Sequence, residues 1–162
     1  MNELTCTSDE IIDALECSML LAGDLIEFPL IHRFTPGVYS REIFMPKGSI
    51  ATSKVHATEH QYVVLSGTSR VYIDGVGIKT LRAGDTGVTV PGTRRALYME
   101  EDSRWIAFHP LDEAEMLAKE MGYSDEEMIA LIEDRIIERR EIPGMDGLTL
   151  NDIYVELLEG GQ

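Results

Sequence analysis

Between residues 30 and 109 the chain breaks into short runs of β-favouring residues, each closed by a turn signal. The clearest runs are Val38–Met45, Gln61–Leu65, Ser69–Ile73, Gly87–Val90, Arg95–Met99 and Arg104–Phe108. Pro36-Gly37, Pro46-Lys47-Gly48, Ser66-Gly67, Asp74-Gly75, Ala83-Gly84-Asp85 and Pro91-Gly92 separate them. Many short strands joined by tight turns predict a β-sandwich or jelly-roll barrel. Gly75-Val76-Gly77 belongs to this punctuation as a hairpin turn; no helix follows it, so it is not a dinucleotide fingerprint.

Helical patterns flank the β region. Thr7 and Glu10 fit a capping box, Ile12, Leu15 and Met19 recur at helical spacing, and Gly23 is a stop, so residues 7–22 are expected to be helical. Asp112–Met121 is expected to form a helix closed by Gly122, and Ser124 with Glu127 caps a second one. There Met128, Leu131, Ile132, Arg135 and Ile136 hold the 3.6-residue period. Pro143-Gly144 ends that block, and residues 149–159 form a weaker last helix because Ile153 and Val155 are β-branched. The expected organisation is a helical segment at 1–29, a β-barrel at 30–110 and a helical appendage at 111–162. The apolar stripe of the appendage must be buried, either across the barrel or against another subunit.

The chain has 162 residues, enough for one domain with a small appendage, and a formal charge of -15. That charge opposes binding to nucleic-acid polymers and to anionic membranes. No apolar run approaches the roughly 20 residues of a membrane-spanning helix, and the N-terminus lacks a signal-peptide core. A soluble cytoplasmic protein is expected. Cys6 and Cys17 form neither a metal spacing nor a disulfide framework. The charge is uneven: residues 112–138 are acidic, whereas Lys79, Arg82, Arg94 and Arg95 cluster in sequence.

One stretch carries a recognisable spacing. Gly48 is followed by five residues, then Lys54, Val55, His56, three residues, His60, six residues and Gly67. Further on, Gly84 is followed by five residues, then Val90, Pro91, Gly92, two residues and Arg95. This frame resembles the two motifs of the cupin superfamily, G-x5-H-x-H-x3,4-E-x6-G and G-x5-P-x-G-x2-H, over roughly residues 34–109. The resemblance implies a barrel whose motif histidines and glutamate hold a metal. Here Lys54 stands at the first His position, His56 keeps the second, His60 replaces the Glu, and Arg95 replaces the last His. The strings Pro36–Glu42, Ser53–His60 and Pro91–Arg95, with Trp105 and Phe108-His109, also resemble uncharacterised cupin-like proteins of tailed bacteriophages and prophages. That likeness implies residence in the cytoplasm of an infected bacterium, and cupin-like barrels often form homodimers.

Strand parity places Lys54 with His56, His60 with Tyr62 and Val64, and Tyr39 with Arg41 on shared faces. Three readings of these residues stand open. Arg95, Arg94, Arg41 and Lys54, with His56, His60, Tyr62 and Tyr39, suit a small anionic ligand, phosphorylated or nucleotide-like, bound without any cofactor. Such binding would sequester a host metabolite or signal. Alternatively, His56 and His60 hold iron or zinc in a dioxygenase or isomerase. Against that, a divalent ion about 5 Å from a fixed positive charge meets a repulsion of roughly 6–7 kcal/mol at an effective dielectric of 20. Thirdly, Lys54 and Arg95 pair with Glu42 or Glu59, His56 and His60 are ordinary polar residues, and the helical appendage contacts a partner. Among the remaining residues, His32 and His109 are expected to be structural and Trp105 to fill the core.

Overall fold

A computed structural model describes residues 12, 13, 15, 16, 19, 26–73 and 75–138. Among the described residues nine strands are present: β1 (Leu30–Thr35), β2 (Val38–Met45), β3 (Ile50–Thr52), β4 (His60–Ser66), β5 (Thr68–Ile73), β6 (Gly77–Arg82), β7 (Thr86–Thr89), β8 (Arg95–Met99) and β9 (Ser103–Pro110). They form two antiparallel sheets, ordered β1-β2-β9-β4-β7 and β3-β8-β5-β6. Chain neighbours β3 and β4, or β6 and β7, lie in different sheets, so the chain winds between the layers as a jelly roll does. All six expected strands are found, two of them, β2 and β8, with the expected ends.

The alternation of inward and outward residues builds the core. Met45, Val64, Val71, Leu97, Met99 and Trp105 form one buried cluster, with Ile43, Ala51, Tyr62, Ile73 and Leu81 packed around it. Each fully buried side chain of this kind contributes about 1.5–3 kcal/mol relative to exposure. Two glycines make close approaches that a Cβ would prevent. At Gly67, which has a φ of 82°, an added Cβ would run into the Asp102 carbonyl oxygen and the Ser103 hydroxyl. At Gly87 it would lie 2.6 Å from the Tyr62 hydroxyl oxygen, so this glycine makes room for that ring.

Two helices follow the barrel: α1 (Glu113–Glu120) and α2 (Asp125–Ile136). Both expected starts are capping boxes in space, Asp112 with Glu115 and Ser124 with Glu127. The apolar stripe of α2 is spent on the barrel itself. Ala118, Met128, Ile132, Ile136 and Ile137 pack with Tyr39, and Phe34, Leu111 and Leu131 surround them. Arg135 fastens the corner, donating to the buried Glu115 carboxylate at 2.7 Å and to the Pro110 carbonyl at 2.7 Å. Two backbone bonds, Ala57 N to Ile136 O and Glu138 N to Val55 O, both 2.8 Å, tie the end of α2 to the segment before β4. The helices therefore cover one end of the barrel. No helix among the described residues is long and apolar enough to cross a membrane.

Ile12, Asp13, Leu15, Glu16 and Met19 are helical, in line with the expected N-terminal helix. Its capping box, Gly23, both cysteines, Pro143-Gly144 and residues 149–159 lie outside the described residues.

Candidate functional site

The covered end of the barrel is lined by polar side chains, and strand register explains their layering. Tyr39 on β2 pairs with His109 on β9, and one step further along the β9–β4 register His60 faces His109. His56, bridged to Ile137 just before β4, adds a third imidazole. The ring centroids are 4.4 Å apart for His56–His60, 4.5 Å for His60–His109 and 5.4 Å for His56–His109. One ligand nitrogen from each ring lies within 4.8 Å of the others.

One register step deeper, Arg41 on β2 pairs with Ala107, and Ala107 pairs with Tyr62. The Arg95 guanidinium lies over the Tyr62 ring, 5.3 Å from its centroid, and Tyr62 stacks in turn on Trp105 at 5.4 Å. The Nε atoms of Arg41 and Arg95 are buried without a hydrogen-bond partner. Among the described residues no carboxylate pairs with either guanidinium. A buried polar atom without a partner is costly, which marks this layer as built for something other than stability.

Burial sets the protonation of the histidines. It pushes His56 and His109 down to about 3, and the neighbouring imidazoles and Arg41 act in the same direction. His60 is lowered as well, chiefly by burial, with the Thr58 backbone opposing. All three are neutral imidazoles at neutral pH, the form that ligates a metal or accepts a hydrogen bond. The Nδ1 atoms of His60 and His109 are buried without a partner. Three neutral imidazoles with converging nitrogens fit a borderline metal such as zinc or iron(II), the cofactors weighed as the alternative to none. Such an ion would act there as a Lewis acid or lower the pKa of a bound water.

The other candidate residues fall in different places. Lys54 reaches α2, with Nζ 3.7 Å from the Glu133 carboxylate. Burial lowers its pKa and Glu133 opposes the shift. The expected pairing of the cations with Glu42 or Glu59 is not found: Glu42 bonds Arg33 and Arg104, and Glu59 is exposed. Arg94 is 2% exposed and donates to Asp13 at 2.6 Å and Glu16 at 2.9 Å. It anchors the N-terminal helical residues instead of joining the other cations. Tyr39 is fully covered, 1% exposed, with its hydroxyl 2.6 Å from His32 Nδ1. Burial pushes its pKa up to about 12, so it stays protonated. Tyr98 is 44% exposed on the opposite face of β8 from Arg95.

His109 is the residue that sequence reasoning set aside as structural. Its signal was parity: it shares a strand face with Trp105, and a core Trp105 turns His109 inward.

Comparison with known proteins yields structures only; no family model and no curated protein matches the sequence. A cupin superfamily protein from Desulfitobacterium hafniense aligns with 53% of this chain and 79% of its own, at 11% identity and a TM-score of 0.45. The cupin-2 domain of an XRE family transcriptional regulator from Enterobacter cloacae aligns with 50% of this chain and 93% of its own, at 18% identity and a TM-score of 0.43. A salicylate 1,2-dioxygenase from Pseudaminobacter salicylatoxidans aligns with 67% of this chain and 33% of its own, at 13% identity and a TM-score of 0.47. These neighbours are cupin-fold proteins, enzymes and others, and the chain itself has a mainly β jelly-roll fold with two helices at the C-terminal end of its described part.

Proposed function

We propose that the covered end of the barrel binds a small anionic molecule, held by Arg41 and Arg95 with Lys54 at the rim. The observation that carries this is the pair of buried Nε atoms of Arg41 and Arg95, which have no hydrogen-bond partner among the described residues. A phosphate or carboxylate would supply the missing charge and acceptors, and guanidinium matches both geometrically. Tyr62, already stacked between Arg95 and Trp105, holds the Arg95 plane in place. The neutral histidines add donors and acceptors on the other side of the ligand. Binding needs no turnover, so sequestering a phosphorylated metabolite or signal inside a host bacterium is the role proposed.

Thermal shift against sulfate, phosphate, sugar phosphates and nucleotides tests this. A ligand at one hundred times its Kd stabilises the native state by about 2.7 kcal/mol, which is readily read as a rise in Tm. The rise should be lost in Arg95→Met and in Arg41→Met. If no anion in the series moves Tm, or if both variants respond as the parent does, the proposal fails.

A further inference from the structure

In the cupin frame the metal positions of this chain are Lys54, His56, His60 and Arg95. Two of those positions are committed elsewhere: Lys54 to Glu133 at 3.7 Å, Arg95 to the face of Tyr62. We propose that His56, His60 and His109 form a divalent transition-metal site displaced from that frame towards the helix-covered end, with an anion as the exogenous ligand. The last strand supplies the third imidazole where the frame would have used residue 95.

Four observations support the displacement. The three ligand nitrogens lie within 4.8 Å of one another. The Nδ1 atoms of His60 and His109 are buried without partners, and an unpaired buried acceptor or donor calls for an explanation such as an ion. The His109 ring is held in orientation, stacked on Tyr39 at 5.7 Å, while the Tyr39 hydroxyl is fixed by His32 at 2.6 Å. Lastly, the charge that would have repelled a cation at position 54 is answered by Glu133. Glu59, the nearest carboxylate in sequence, is exposed and supplies no ligand.

Three protein ligands leave a four-coordinate metal one place to fill. A divalent ion would add two positive charges beside Arg41 and Arg95, which no carboxylate balances among the described residues. An oxyanion in that fourth place neutralises both. Occupancy of the metal site should therefore depend on an anion; this coupling rests on the anion-binding function proposed above, whereas the three-histidine site does not.

The test uses the full chain, purified without a histidine tag and stripped of metal, titrated with Co2+ in chloride medium with and without sulfate. One Co2+ per chain is expected, with the visible d–d bands of a low-coordinate histidine site. Sulfate should tighten binding by about tenfold or more, equivalent to about 1.4 kcal/mol. His109→Gln and His56→Ala should each abolish the bands, while Glu59→Gln, at the exposed neighbouring carboxylate, retains them. Near-ultraviolet circular dichroism shows whether each variant is folded, and the parent titration decides the matter if a variant is not. Less than a tenth of an equivalent bound with sulfate present overturns the site, as does a full spectrum in a folded His109→Gln. Loss of the spectrum in a folded Glu59→Gln would make that carboxylate a ligand and also overturns the three-histidine site. Full binding that is indifferent to sulfate upholds the three histidines and removes the coupling. A Tm that no anion moves, together with intact Co2+ binding, defeats the anion function while the metal site stands.

Discussion

The two halves of the barrel interior are made by the same strands and differ sharply in chemistry. On β2 the inward residues run from Tyr39 and Arg41 to Ile43 and Met45, and on β4 from His60 and Tyr62 to Val64. On β8 they run from Arg95 to Leu97 and Met99, and on β9 from Trp105 through Ala107 to His109. Because β9 is antiparallel to β2 and β4, its polar end meets theirs. Within about four residues, some 13 Å at 3.3 Å per residue, each strand passes from close-packed hydrocarbon to imidazole and guanidinium. The apolar half gains stability from burial. Among the described residues, buried atoms without partners gather in the polar half, at Arg41, Arg95, His60 and His109, against Trp105 Nε1 in the apolar half, and such groups reduce stability. That difference separates what holds this molecule together from what it is equipped to bind.

Substitution on either side of the boundary tests the contrast. Trp105→Ala, in the apolar half, should lose about 3–5 kcal/mol of unfolding free energy in urea denaturation, through lost burial and the cavity left under Tyr62. Arg41→Met, in the polar half, should change stability by about 1 kcal/mol or less, and in the stabilising direction if at all, because an apolar side chain removes a buried Nε that has no hydrogen-bond partner among the described residues. A loss in Arg41→Met comparable to that of Trp105→Ala would erase the distinction. A third effect lies on the outer face of the barrel. Glu42 is held below the usual carboxylate range by its hydrogen bond from Arg33, and by Arg104. A depressed carboxylate stabilises the fold above its unfolded pKa near 4.5, and that contribution disappears as pH falls through the lower folded value. Glu42→Gln should therefore be about 0.5–1 kcal/mol less stable than the parent at pH 7, since its arginines are half exposed, and indistinguishable from it in strong acid.

Much of the architecture is legible along the chain because its causes are local. Turn glycines and prolines bound the strands, and the capping boxes at Asp112 and Ser124 begin the helices. The periodic face of α2 correctly announced that it must be buried, although periodicity does not say against what. Tyr39, Phe34 and the His56 segment turned out to be the answer. Site residues were legible in part. His56 and His60 emerge from the motif spacing, and parity alone points Arg41 and Tyr62 inward. Arg94 was misplaced because adjacent arginines look alike in sequence. Alternation sends one of them into the barrel and the other out to Asp13 and Glu16.

The sequence alone was enough for a mainly β chain with short strands, tight turns and capped helices, because each of those features is decided by residues a few positions apart. Only the tertiary structure could bring His109 beside His56 and His60, set Glu133 against Lys54, and leave the Nε atoms of Arg41 and Arg95 buried without a hydrogen-bond partner among the described residues. Those relations depend on strand pairing across the sheet and on a helix folding back over the barrel, so no local pattern encodes them.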